Sequence, residues 1–422
     1  MQLAELDEGT ALNIIERLRT GLPPRRYASM YSSGLEGFVA SVRKQHLERL
    51  SSSGRIRFVS GSWGSGKTHL FRLLAEQAFD ANYLVSTVEL SRNEAPFNKF
   101  ESVIASILRN IASHATETEA PNVSPLGHML QSHIYNLSKE REIDLSSVIS
   151  DERARLLADT SVDLDMRRVV VAYWDTFRLQ EAGEVLSERR GKLLQWFTGE
   201  ANKNTMRQDF GVQRVLNKEN ARPFLTAIVA LARFLGYKGL LVLFDESEMS
   251  TSTMAKSQLN QAHNNLLHLI NEIDTIAGLV MIYAAVPAFF SDDRHGICIY
   301  GALSGRIGAP EPNPPSALQT VWNLDAVDVT REQFHDTARK IHEIYTKAFP
   351  DDVALLMAVP ELLLRMDVVI SKHGPFEKVS KWRAIVKECV KLLDQTLGGE
   401  TPLAPEVSYI QTLRTLERFG DD

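Results

Sequence analysis

The sequence predicts an α/β protein: a parallel-sheet core interrupted by a helical insertion and followed by a helical C-terminal domain. Short continuous apolar runs alternate with helical spacing in two groups, near residues 55–90 and 239–287. That is the pattern of strands buried on both faces and joined by helices. More than a hundred residues of mostly helical pattern separate the groups, too many for a bare crossover. A proline-rich stretch, Gly308-Ala309-Pro310-Glu311-Pro312-Asn313-Pro314-Pro315, closes the second group, because repeated prolines continue neither a helix nor a central strand.

In chain order, residues 10–20 and 34–50 have helical spacing and are separated by the breaker Gly21-Leu22-Pro23-Pro24. Arg55 to Ser60 reads as the first strand and His69 to Ala78 as the helix that follows it. Tyr83 to Leu90, rich in β-branched and aromatic residues, reads as a second strand, and residues 97–113 return to helical spacing. In the insertion the loosest parts are residues 118–127, with Pro121 and Pro125, and 199–220, which open on a polar run. A strand at 239–246, a helix at 255–274, a strand at 278–287 and a helical stretch at 330–397 complete the pattern. The expected division is an N-terminal helical segment at 1–50, a core at 51–310 with its insertion at about 115–235, and a C-terminal helical domain at 316–422.

Between the first strand and its helix stands Gly61-Ser62-Trp63-Gly64-Ser65-Gly66-Lys67-Thr68, which fits G-x-x-x-x-G-K-[ST]. Glycines there let the backbone turn tightly and aim successive N–H groups at phosphate oxygens, and the helix N-terminus adds a favourable dipole. Lys67 is then expected at the β- and γ-phosphates, Thr68 Oγ at Mg2+, and His69 at the start of the helix beside the bound nucleotide. A Gly/Ser-rich surface turn that ends in Lys-Thr is the alternative, and the strand and helix on either side argue against it.

The run Gly239-Leu240-Leu241-Val242-Leu243-Phe244-Asp245-Glu246 is apolar until two carboxylates, as expected of a buried parallel strand whose C-terminal end opens onto a ligand crevice. Asp245 is expected to hold the Mg2+ and Glu246 to polarise the water that attacks the γ-phosphate. A core strand ending in a solvated acidic turn would look the same, but the phosphate-loop pattern upstream favours the functional reading. The expected ligands are therefore ATP and Mg2+.

Composition is that of an ordinary globular chain: 422 residues, 44% hydrophobic and 24% charged. The two cysteines, Cys298 and Cys389, lie far apart without His or Cys neighbours at ligand spacing, and read as reduced, packed thiols. No stretch approaches a membrane span, and the N-terminus lacks the basic-then-apolar order of a signal peptide, so a cytoplasmic location is expected. A formal net charge of −6 gives no global pull toward nucleic acid. Local basic groups at Arg17 to Arg26, Arg153 to Arg168 and Lys372 to Lys391 are interleaved with acids and apolar residues, as on solvated helix faces.

The arrangement resembles AAA+-type ATPases, in particular initiator-like ones, in which a helical lid follows the nucleotide-binding core. The segments 14–23, 60–70 and 82–91, with Trp196-Phe197-Thr198-Gly199-Glu200 and Leu235-Gly236-Tyr237-Lys238-Gly239-Leu240, resemble the ATP-binding BrxD-type proteins of BREX phage-defence systems. The likeness covers most of the chain. It implies an ATPase in bacterial anti-phage defence whose nucleotide state controls engagement of DNA or of partners such as a helicase. An arginine finger from a neighbouring subunit would stabilise charge on the transferring phosphoryl group; Arg306 and Arg294 follow the third strand in the right region, Arg306 is the preferred candidate, and if it acts in trans the active form is a homo-oligomer. The chain departs from the AAA+ pattern in showing no obvious sensor arginine in the lid, where Arg383 is the candidate for sensing the γ-phosphate. A structural ion pair for Arg306 and a surface or ion-paired role for Arg383 are the competing readings.

A second departure bears on turnover. The third core strand ends Ala284-Ala285-Val286-Pro287, where AAA+ proteins commonly carry a polar residue that orients the attacking water. Hydrolysis is then slow, or Thr275, Ser291 or another neighbour supplies the missing group. The alternatives to an ATPase are a nucleotide-gated scaffold that hydrolyses little, and a small-molecule kinase, against which the length and helical lid argue.

Overall fold

The structure is a computed structural model that describes residues 3–49, 53–91, 95–114, 124–180, 183–245, 254–374 and 379–418. Six strands occur among them: β1 (Arg55–Ser60), β2 (Leu84–Glu89), β3 (Ile111–Ala112), β4 (Leu240–Asp245), β5 (Leu279–Ala285) and β6 (Val321–Asn323). With many helices around a mostly parallel sheet, the architecture is mixed α/β. By contact the chain divides into two units, one made of residues 1–42, 59–77 and 310–422, the other of 43–58 and 78–309.

In the second unit the strand order is β3-β2-β4-β5-β1. β2 and β4 run parallel from Leu84 beside Leu240 to Glu89 beside Asp245, and β4 and β5 run parallel from Leu240 beside Leu279. Every residue of β4 and β5 is buried, which explains why their sequences are apolar throughout rather than alternating. Strand spacing at the start of this pair demands glycine: a Cβ on Gly239 would lie 1.9 Å from the Gly278 carbonyl oxygen. An aromatic cluster forms the core, with Phe97 5.9 Å from Phe244 and 5.8 Å from Tyr283, ring centre to ring centre.

The insertion between β3 and β4 consists of the helices Pro125–Arg141, Leu145–Ala158, Leu164–Asp175, Gly183–Phe197 and Lys203–Phe210, and the helix Ala221–Phe234 leads back to the sheet. Side chains of Ser124, Asp144, Asp163 and Asn202 accept hydrogen bonds from the first free backbone N–H groups of four of these helices. One buried carboxylate organises the bundle: Glu152 lies 2.9 Å from His133 Nε2, 2.7 Å from Arg155 and 3.6 Å from Arg141. Burial pushes its pKa up, but the His133 hydrogen bond and the three nearby basic groups hold it below the usual glutamate value.

Three sequence expectations change here. Residues 97–113 are not one helix but the helix Phe100–Arg109 followed by β3, which pairs antiparallel on the edge of β2. Two residues of strand are too short to show period-two patterning. The 199–220 region is held rather than loose, since it contains the helix Lys203–Phe210 and buried Asp165 accepts the backbone N–H groups of Gln213 and Arg214 at 3.2 and 2.9 Å. Of the two cysteines only Cys389 is buried, and Cys298 is exposed.

In the first unit the last residues of β1 lead through the loop 61–66 into the helix Lys67–Asp80, and β6 follows β1 in the strand order. The helix Glu8–Arg19 packs with the C-terminal helices Arg331–Ala348 and Lys381–Leu397, and the helices Val359–Lys372 and Pro405–Arg418 complete a bundle. Within it Glu388, which is buried, accepts the hydroxyls of Ser408 and Thr412. No described helix is long and apolar enough to cross a membrane.

Candidate nucleotide site

The loop 61–68 is built around glycine geometry. A Cβ on Gly61 would lie 2.2 Å from Ser65 Oγ, and Gly64 and Gly66 have φ of +76° and +97°, a region costly for any residue with a side chain. The Ser65 N–H donates to the Ser62 carbonyl oxygen at 3.1 Å, and the Leu70 N–H donates to Gly66 O at 2.8 Å, which closes the first turn of the helix. Lys67 is buried, and its ammonium donates to Gly61 O at 2.8 Å and Ser62 O at 3.2 Å while lying 5.6 Å from the Trp63 ring centre. Ser65 Oγ is shielded from solvent and has no hydrogen-bond partner among the described residues.

A tight glycine loop at a helix N-terminus, with one lysine and one spare hydroxyl turned inward, offers donors and positive charge and no competing carboxylate of its own. That donor set fits a polyphosphate.

Residues outside the loop grip it. The carboxylate of Asp325 accepts the Ser62 N–H at 2.9 and 3.0 Å and the Ser62 hydroxyl at 2.8 Å. Ser380, the N-cap of the helix Lys381–Leu397, presses on Gly64, where an added Cβ would meet its Oγ at 2.9 Å. In the first turn of the helix, His69 lies 3.1 Å from the Tyr31 hydroxyl and 3.0 Å from Ser32 Oγ, and burial depresses its pKa to about 4. Glu76, two turns further along the same helix face, accepts the backbone N–H groups of Ala28 and Ser29.

Of the residues singled out from sequence, Gly61 to His69 and Arg383 belong to the first unit, and Asp245 and Arg306 to the second. Asp245 is buried at the end of β4, where its carbonyl oxygen accepts the Leu90 N–H. Glu246 lies outside the described residues. Arg383 is exposed in the first turn of its helix, with its guanidinium 3.9 Å from where a Cβ on Gly21 would be. Arg306 is exposed and donates to Ala302 O at 3.0 Å, within its own helix. Among the described residues no group of three or more His, Cys, Asp or Glu could hold a metal by itself.

The end of β5 matches its sequence: Ala284 and Ala285 are fully buried and carry no polar group. Thr275 precedes this strand and so stands at the end opposite Ala285, with its hydroxyl on Glu272 O at 2.6 Å. Ser291 Oγ donates to Pro287 O at 3.2 Å.

Sequence reading missed Asp325, Ser380, Tyr31 and Ser32. The first two lie more than 250 positions from the loop that they touch, and no spacing rule reaches that far. The capping serine before Lys381 was the one local signal available.

A family model described as BREX system ATP-binding protein BrxC/D matches residues 7–402, and the chain belongs to that family. No curated protein and no solved structure matches it. Membership brings ATP binding and a place in the BREX system.

Proposed function

We propose that this BrxC/D family member binds MgATP through the loop 61–68 and hydrolyses it, with the nucleotide state controlling engagement of DNA or of other defence-system proteins. The observation that carries the reading is the loop itself: a glycine-built turn at a helix N-terminus that holds Lys67 inward. Lys67 and the backbone N–H groups of the loop bind the β- and γ-phosphates, and Trp63 and His69 flank them. Thr68 and Asp245 are the proposed Mg2+ ligands, a pairing that rests on the sequence pattern. Bound there, Mg2+ would neutralise charge on the phosphates. Glu246 polarises the attacking water.

In an oligomer, Arg306 would reach a neighbour's nucleotide and stabilise charge developing on the transferred phosphoryl group. Arg383, beside the N-cap that touches Gly64, is the proposed sensor of the γ-phosphate. Both arginines are exposed and available for such contacts.

The test is ATP turnover per chain across a protein concentration series, with and without double- and single-stranded DNA. The proposal expects turnover to rise with concentration and with DNA, and Glu246→Gln to abolish it while binding persists. A second reading, a scaffold that binds ATP and barely hydrolyses it, is favoured by the apolar end of β5. Tight binding with negligible turnover under every condition, unchanged in Glu246→Gln, would select it.

A further inference from the structure

Ser62 is the hub of the phosphate loop. Its carbonyl oxygen accepts both the Ser65 N–H at 3.1 Å and the Lys67 ammonium at 3.2 Å, so wherever Ser62 stands, the downstream donors stand with it. Its own N–H and hydroxyl both point to one carboxylate, that of Asp325. We propose that Asp325 is a positioning residue of this loop, which fixes the entry limb through Ser62 so that Lys67 and the amides beyond it are preorganised for phosphate. This rests on the phosphate-loop reading above and adds a residue to it.

Two features make the anchor rigid. Asp325 belongs to a single helical turn, Leu324–Ala326, directly after β6, whose Val321 and Trp322 are buried. The turn is capped by Asn323, which accepts the Asp325 N–H at 3.1 Å and donates its own amide to Glu311 O at 2.7 Å. Buried Leu324 packs on the loop as well, its Cβ 3.4 Å from the point where a Cβ on Gly61 would be.

A loop with three glycines needs such an anchor. Glycine has the widest backbone freedom of any residue, and ordering it at the moment of binding weakens affinity. Hydrogen bonds to a charged acceptor are the strongest the loop can use for this purpose. Asp325 and Ser62 are both exposed, and exposed ionic contacts add little to global stability. The role of Asp325 should therefore show in nucleotide affinity and hardly at all in melting temperature.

The experiment is calorimetric titration of the full chain with MgADP and MgATP, for the wild type, Asp325→Ala, Asp325→Asn and Lys67→Ala, with thermal melts of each. Asp325→Ala is expected to bind both nucleotides roughly tenfold more weakly, by the same factor, because the β-phosphate cradle is common to both. Its melting temperature should stay within about 2 °C of wild type. Asp325→Asn keeps an acceptor for the Ser62 N–H and should recover part of the loss. Wild-type affinity in Asp325→Ala alongside lost binding in Lys67→Ala would overturn the role of Asp325 alone. Wild-type affinity in both variants would overturn the phosphate-loop reading itself. An affinity loss in Asp325→Ala that Asp325→Asn does not relieve at all would also count against positioning through Ser62.

Discussion

Arg19 donates its Nε to the Asp394 carboxylate at 2.9 Å, across 375 positions of sequence. The contact ties the first long helix to the helix Lys381–Leu397, whose N-cap touches the loop 61–68 at Gly64. Tyr345 donates its hydroxyl to the same carboxylate at 2.8 Å, and Lys387 donates to the Arg19 carbonyl oxygen.

Asp394→Ala should therefore destabilise the unit formed by the N-terminal and C-terminal helices by about 2 kcal/mol, since the half-buried Arg19 and the Tyr345 hydroxyl lose a charged partner together. Asp394→Asn should cost less, because it keeps an acceptor for Tyr345. Urea unfolding followed by circular dichroism measures both, and equal stability in all three proteins would remove this contact from the account.

Glu152 is the corresponding anchor of the insertion, buried and surrounded by His133, Arg141 and Arg155. Glu152→Gln should cost about 3 kcal/mol, because it leaves those basic groups without their counter-charge. Hydrogen exchange should speed up first in the helices Pro125–Arg141 and Leu145–Ala158. Protection unchanged in those two helices would show that the ionic cluster is not what holds them.

Acid should act through two desolvated histidines, half-buried His69 and buried His263. His69 and His263 are each held near pKa about 4 by burial, against 6.5 for a free side chain. Below pH 6.5 the unfolded chain takes up protons that the folded chain refuses, so their contribution is fully present above 6.5 and is lost as pH falls toward 4. His263 is buried, stacked on Tyr300, and neither ring nitrogen has a hydrogen-bond partner among the described residues. His263→Leu should accordingly raise stability by about 1 kcal/mol at neutral pH and by more at pH 5. Thermal melts at pH 7.5, 6 and 5 give the comparison, and a variant that tracks the wild type at every pH would contradict it.

What the sequence made legible follows a physical divide. β4 and β5 announced themselves because strands buried on both faces are apolar at every position, and the loop 61–68 because only glycine tolerates its backbone. The helical insertion was visible from helical spacing between the strand groups. β3 and β6 were not, being two and three residues long, shorter than any period. Nor were Asp325 and Ser380, whose places beside the loop depend on how distant segments pack. Arg306 and Arg383 could be singled out only by resemblance, since an exposed arginine on a helix carries no local mark of its role.

The most direct test of the central claim is calorimetric titration of MgATP into the wild-type chain and Lys67→Ala. Lys67 supplies the only side-chain cation of the loop 61–68, and removing it should weaken binding at least a hundredfold, while the thermal melt shows the fold retained. Saturable binding in the wild type and none at matched concentrations in the variant is the predicted result. Equal affinity in the two proteins would mean that ATP is bound elsewhere, and would contradict the account at its base.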